Sequence, residues 1–147
     1  MNNLIQNECK LVSGNENMNF ENVTEMLSDA FWCVGIKITE VKEAAKNSAV
    51  VVGIKYRGQQ ISYARVISDK TRFAYICDVY VHEKFRGNGL CKAMIDHILS
   101  CSELKAVYQW VLVTKDAHQI YEKSGFRKLE NPEIWMEIRN ERPKKIE

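Results

Sequence analysis

The run FAYICDVYVH (73–82), EKFRGNG (83–89), LCKAMIDHILS (90–100) decides the fold. Its first ten residues, rich in β-branched and aromatic side chains, predict a strand, and the two glycines that follow predict a tight loop. The apolar stripe Leu90, Met94, Ile95, Ile98 and Leu99 then predicts a helix over 90–100 with one face on a sheet. A further strand, YQWVLVT (108–114), comes next. Strand, helix and strand in that order form a βαβ unit, so 73–82 and 108–114 are expected to lie parallel. Upstream, AVVVGIKY (49–56), an Arg57-Gly58 turn, QQISYARVIS (59–68) and a polar break before Phe73 predict an antiparallel meander.

Two helices are expected ahead of the meander. Val23, Met26, Leu27, Ala30 and Phe31 recur at helical spacing from Asn19 to Phe31, and Val41, Ala44 and Ala45 do so over 39–47. Downstream, a short helix over 116–124 and a last strand around 134–138 complete an α/β fold, a mixed and mostly antiparallel sheet with about four helices. One domain is expected over 1–140, with a charged tail at 141–147.

Composition narrows the function classes. At 147 residues, 46% hydrophobic and 27% charged, the chain is sized for one packed domain and is not disordered. Five cysteines with no C-x-x-C pair fit neither a disulfide framework nor a zinc knuckle, and the three histidines lack ligand spacing, so no metal is expected. A net charge of +2 carries no nucleic-acid footprint. The amino-terminal MNNLIQNECK has no signal-like apolar region and no stretch is long enough for a bilayer, so a cytoplasmic protein without a membrane partner is expected.

Two glycines directly before a helix leave backbone N–H groups free to converge on phosphate oxygens. Arg86, Gly87, Asn88, Gly89, Leu90 and Cys91 form that stretch. No Gly-Lys-Ser/Thr follows, and the G-x-G-x-x-G spacing is missing, so nucleoside triphosphates and dinucleotides do not fit. Arg86-x-x-Gly89-x-Cys91 after a strand, followed by Tyr121-Glu122-Lys123-Ser124-Gly125-Phe126 after the next one, resembles the GNAT N-acetyltransferase superfamily. Its signature for the coenzyme A pyrophosphate is R/Q-x-x-G-x-G/A. The resemblance runs from about Leu27 to Met136 and includes Asp78-Val79-Tyr80-Val81 and Thr114-Lys115-Asp116-Ala117-His118. Cys91 departs from the signature's small residue, and Thr114 stands where many relatives carry asparagine.

The resemblance implies acetyl-CoA as co-substrate and a small-molecule or peptide amine as acceptor. It also implies that the strand ending at Val81 and the one starting near Tyr108, fourth and fifth of that fold, splay apart. The pantetheine arm would bond backbone groups of Val79 and Val81, and one such N–H would steady the oxyanion. Tyr121, a phenol of reference pKa about 10, would protonate the departing thiolate. The amine must also lose a proton. Asp78, in an apolar strand, is either that base or a structural carboxylate. His118, one turn before Tyr121 on the same helix face, is either a second candidate base in contact with the substrate or a residue that merely packs or binds a helix cap. Arg65 either meets a substrate carboxylate or pairs with Asp69 or Asp78. Trp32 either lines the acceptor pocket or packs in the core. Cys91, in the first turn of a helix, is either an activated thiol or a small residue filling glycine's space. Against the transferase stands a module that binds coenzyme A without transferring, and a homodimer is compatible with either.

Overall fold

The computed structural model describes residues 7–30 and 33–141. Strand β1 (Cys9–Ser13) opens the chain, followed by helices α1 (Phe20–Asp29) and α2 (Ile38–Lys46). The Asn19 side chain caps α1 by accepting from the Asn22 N–H at 3.0 Å, and Val23, Met26 and Leu27 turn the buried face inward. Then come β2 (Val50–Tyr56), β3 (Gln59–Ser68) and β4 (Phe73–Val81), helix α3 (Leu90–Leu99), β5 (Gln109–Leu112) and helix α4 (His118–Glu122). The sheet runs β1-β2-β3-β4-β5, antiparallel throughout except for the parallel pair β4 and β5. Meander, βαβ unit and four helices match expectation.

Two expectations are corrected. Residues 9–13, unassigned in the sequence reading, form an edge strand antiparallel to β2, with Cys9 opposite Tyr56 and Ser13 opposite Val52. The last strand expected at 134–138 does not form. A 3₁₀ turn at Pro132–Ile134 replaces its start, and Met136 and Ile138 stand 96% and 92% exposed. An alternating pattern makes a strand only where a partner edge supplies the hydrogen bonds.

Cores lie on both faces of the sheet. On one, α3 and α4 cover Val52, Ile54, Ile61, Ala64, Val66, Ala74 and Ile76, with Met94, Ile95 and Ile98 as the helix stripe. On the other, α1 and α2 cover Val51, Tyr63 and Tyr80. Gly53 is needed for close approach, because a Cβ there would stand 2.7 Å from the Ser62 carbonyl and would strike the buried Gln60 amide. Tyr63 is fully buried, and its hydroxyl has no hydrogen-bond partner.

Candidate active site

Ladder hydrogen bonding between β4 and β5 stops early. The last pair is Ile76 opposite Leu112, yet β4 continues to Val81, so residues 77–81 run on with no strand on that edge. The His82 N–H donates to the Ile61 carbonyl of β3 at 2.8 Å, and alternation along a strand therefore turns the N–H and C=O of Val81 and Val79 toward the opposite, unladdered edge. A break in register sharpens the feature. Tyr63 faces Tyr80 and Arg65 faces Cys77, leaving Asp78 and Val79 opposite the single residue Ala64. This β-bulge puts Asp78 at φ 53, a conformation that aspartate and asparagine tolerate better than most residues.

At the end of β4 the chain makes a 3₁₀ turn (Glu83–Phe85), anchored by His82 Nδ1 accepting from the Lys84 N–H at 3.2 Å. Gly87 and Gly89 follow at φ 80 and 76. Asn88 Nδ2 donates to the carbonyls of Phe85 at 2.9 Å and Arg86 at 3.3 Å, which cross-braces the loop. Gly89 is the N-cap of α3 and brings no side chain to cap it, so the first-turn N–H groups of α3 face the loop at the positive end of the helix. An anion with several oxygens fits this cradle. Arg86 folds back on β4, with Nε donating to the Val81 carbonyl at 2.8 Å and the guanidinium 5.2 Å from the Tyr80 ring centre. The Tyr80 hydroxyl in turn donates to Asp29 Oδ2 at 3.3 Å, at the end of α1.

Tyr121 comes to the first turn of α3 from the other side. It is buried in the α3 core, braced edge-on by Phe126 with ring centres 6.1 Å apart, and its hydroxyl lies beside the Cys91 thiol. Burial, then the neighbouring thiol, hold the phenol well above its ordinary value. Burial also pushes the Cys91 thiol up, with the Tyr121 hydroxyl opposing it. Of the two alternatives for Cys91, these surroundings favour the small residue filling glycine's space, since loss of hydration outweighs the helix terminus. Thr114 accepts the Ala117 N–H at 3.0 Å and so shapes the turn into α4, where His118 occupies the first, exposed position.

Asp78 points toward α1 and α2. Arg65 Nε donates to its Oδ2 at 2.6 Å and Arg65 Nη1 to Ser48 Oγ at 3.3 Å, while Cys33 Sγ lies 3.9 Å from its Oδ1. Burial opposes the Arg65 charge, and the hydrogen bond and charge of Asp78 overcome it, leaving the guanidinium above its ordinary value. Of the two alternatives for Arg65, the pair with Asp78 is the one that forms. Asp69 instead closes its own turn, accepting from the N–H groups of Thr71, Arg72 and Phe73. Cys33, Ser48, Asp29 and Tyr80 have no role in the sequence analysis, because their contacts depend on how distant elements pack. Trp32 lies outside the described residues. Among the described residues no group of three or more His, Cys, Asp or Glu could hold a metal ion, and no helix is long and apolar enough to cross a membrane.

Thus the unladdered edge of β4, with the bulge at Asp78 within it, runs into the glycine loop and the first turn of α3, where Cys91 lies beside the Tyr121 hydroxyl. Residues 33–128 match the acetyltransferase (GNAT) domain family. A GNAT-family protein from Xanthomonas campestris pv. campestris superposes with a TM-score of 0.84 at 32% identity, over 90% of this chain and 93% of that one. A protein from Clostridium acetobutylicum, crystallised with acetyl-CoA, shares the fold at a TM-score of 0.68 and 18% identity, over 89% of this chain and 96% of its own. An uncharacterized N-acetyltransferase of Pyropia yezoensis is 28% identical over 122 residues, 80% of this chain and 70% of that protein. With the family matched across most of the chain and the fold shared with its members, this protein is an acyltransferase of the GNAT family.

Proposed function

We propose that the protein transfers an acetyl group from acetyl-CoA to a primary amine, by direct attack in a ternary complex. The observation that carries this reading is the continuity of one rim: backbone groups of Val79 and Val81, then the loop Arg86, Gly87, Asn88 and Gly89, then the N–H groups of Leu90 and Cys91. That rim offers peptide hydrogen bonds to a pantetheine-like arm at one end and a cradle for diphosphate oxygens at the other. The neighbour of the same fold from Clostridium acetobutylicum was crystallised with acetyl-CoA, which supports acetyl-CoA as the co-substrate. Acetyl-CoA supplies the activated thioester, and the chain supplies orientation, an oxyanion donor and proton transfer.

The Val79 N–H, next to the bulge, is the donor assigned to the developing oxyanion, a contribution of about 3 kcal/mol in comparable acyl transfers. As nitrogen bonds the carbonyl carbon and the carbon–sulfur bond breaks, the amine proton leaves toward Asp78 Oδ1, the carboxylate oxygen that Arg65 does not hold. Tyr121 donates to the leaving sulfur, and its contact with the Cys91 sulfur supports that role. A phenol held above about 10 stays protonated at neutral pH, so the hydrogen bond is always on offer; complete proton transfer becomes favourable only as negative charge collects on sulfur. Thr114 and His118 are proposed to border the cofactor arm and the acceptor.

Coenzyme A should raise the melting temperature in proportion to the logarithm of its concentration once sites fill. Gly89→Val, which puts a branched side chain at φ 76 in the cradle, should abolish that shift. Thiol release from acetyl-CoA across a panel of amines, with products identified by mass, tests transfer itself. A thermal shift with no amine-dependent thiol release would favour a module that binds coenzyme A only. No shift at millimolar ligand would sink both readings.

A further inference from the structure

Of the backbone groups on the open edge of β4, one is already taken. Arg86 Nε donates to the Val81 carbonyl at 2.8 Å, and the guanidinium lies 5.2 Å from the centre of the Tyr80 ring. The two contacts belong to different faces of the sheet. Val79 and Val81 pack toward the core under α3, whereas Tyr80 belongs to the core under α1 and α2. Arg86 leaves the chain at the loop that enters α3, so its side chain crosses the edge of β4 at Val81 to reach the Tyr80 ring. An arm laid along that edge meets the Arg86 side chain and competes for the Val81 carbonyl.

Both sides of this contact are fixed. The Tyr80 ring is 9% exposed, and its hydroxyl donates to Asp29 Oδ2 at 3.3 Å. Around Arg86 the backbone is braced by Asn88 Nδ2, which donates to the carbonyls of Phe85 and Arg86, and by His82 Nδ1, which accepts from the Lys84 N–H. The Arg86 side chain can therefore move while the glycine loop keeps its shape. Charge decides where it goes: a guanidinium gains more from a diphosphate, with its paired anionic oxygens, than from one neutral carbonyl and a ring face. Arg86 is itself the first residue of the cradle, so phosphate oxygens held there come within reach of its side chain.

We propose that Arg86 is a gate on the donor site, opened by the donor's own diphosphate, and that it makes this chain select coenzyme A thioesters over thioesters carried on pantetheine alone. The inference rests on the acetyl-transfer reading and adds to it the residue that sets donor specificity. A donor with phosphates draws Arg86 off Val81 and frees the edge for its arm. A donor without them breaks both Arg86 contacts with no new partner for the guanidinium, and its apparent affinity falls with the fraction of chains whose gate is open.

Isothermal titration of the full chain with pantetheine, the arm without phosphates, tests the gate. Adenosine 3′,5′-bisphosphate, which brings phosphate and no arm, should tighten pantetheine binding about tenfold, and pantetheine should tighten the bisphosphate equally. Arg86→Met keeps the stem and loses the charge and the donor. That variant should bind pantetheine alone about tenfold tighter than the unaltered chain does, with the bisphosphate adding nothing. Arg86 is exposed, so its replacement should leave the fold intact; circular dichroism checks this, and Arg86→Gln serves as a second variant. Coenzyme A that binds while pantetheine and the bisphosphate show no coupling overturns the gate and leaves the acetyl-transfer reading standing. Pantetheine bound equally, or undetectably, by the unaltered chain and both variants does the same. Failure of the unaltered chain to bind coenzyme A brings down the reading and the gate together.

Discussion

Arg65→Met should cost the fold about 3 kcal/mol. The guanidinium meets Asp78 at 2.6 Å in a pair whose side chains are only 17% and 14% exposed, and without it the carboxylate keeps one weak thiol contact, Cys33 at 3.9 Å. Removing one partner of a buried pair costs roughly 3–5 kcal/mol, and the residual water access here argues for the lower end. In a domain of this length each kcal/mol moves the melting temperature by roughly 2–4 °C, so a fall of about 6–12 °C is expected. Adding Asp78→Asn in the same chain neutralises the stranded charge, keeps a residue tolerant of φ 53, and should return about 2 kcal/mol. Asp78→Ala should be about 1 kcal/mol worse than Asp78→Asn, because alanine resists that φ. Calorimetry and urea titration of the four-member cycle measure these differences. A cost below about 1 kcal/mol for Arg65→Met, or a double variant no more stable than the single, would refute the claim that this pair is buried and coupled.

Tyr121→Phe should leave the coenzyme A thermal shift intact and lower kcat by about 10²- to 10⁴-fold; unchanged turnover on a verified acceptor removes the proton-donor role. Burial pushes Cys77 from an ordinary 9.0 up to about 11. Because the folded value is the higher one, the associated stability is complete below about pH 9 and is lost as pH rises toward 11, about 3 kcal/mol in all. Cys77→Ala should flatten that alkaline decline, and an identical decline in the variant would assign it elsewhere. Cys91, half-buried against Tyr121 and raised, should alkylate more slowly than Cys9, with mass-resolved labelling as the readout.

What the sequence made legible followed from local patterns. The meander, the glycine loop and α3 each announce themselves within about ten residues, and the order of strand, helix and strand dictates the parallel pair. β1 is not legible because five residues, CKLVS, carry little periodicity; its pairing with residues 52–56 is an edge contact made across some forty positions of chain. Residues 134–138 show the reverse, a clear strand pattern whose partner edge lies outside its own stretch. At the site, Asp78 was conspicuous as a carboxylate in an apolar strand. Its bulge and its pairing with Arg65 depend on register, which no spacing along the chain reveals. For Cys91 both alternatives stay open in the sequence, because a helix terminus is visible there and the packing of a distant tyrosine is not.

The meander also sets an order of assembly during synthesis. β2, β3 and β4 are consecutive and joined by short turns, so they can pair as soon as Val81 is available, while the apolar face formed by Val52, Ile61, Ala64, Val66 and Ile76 still awaits α3. The outer edge of β4 waits longer, until β5 arrives after α3. A nascent chain paused between Val81 and Gln109 therefore displays a sheet with one bare face and one open edge, the combination most prone to capture by another unfinished chain. The parallel crossover that creates the splayed edge thus also makes this stretch of translation the interval in which a chaperone matters most.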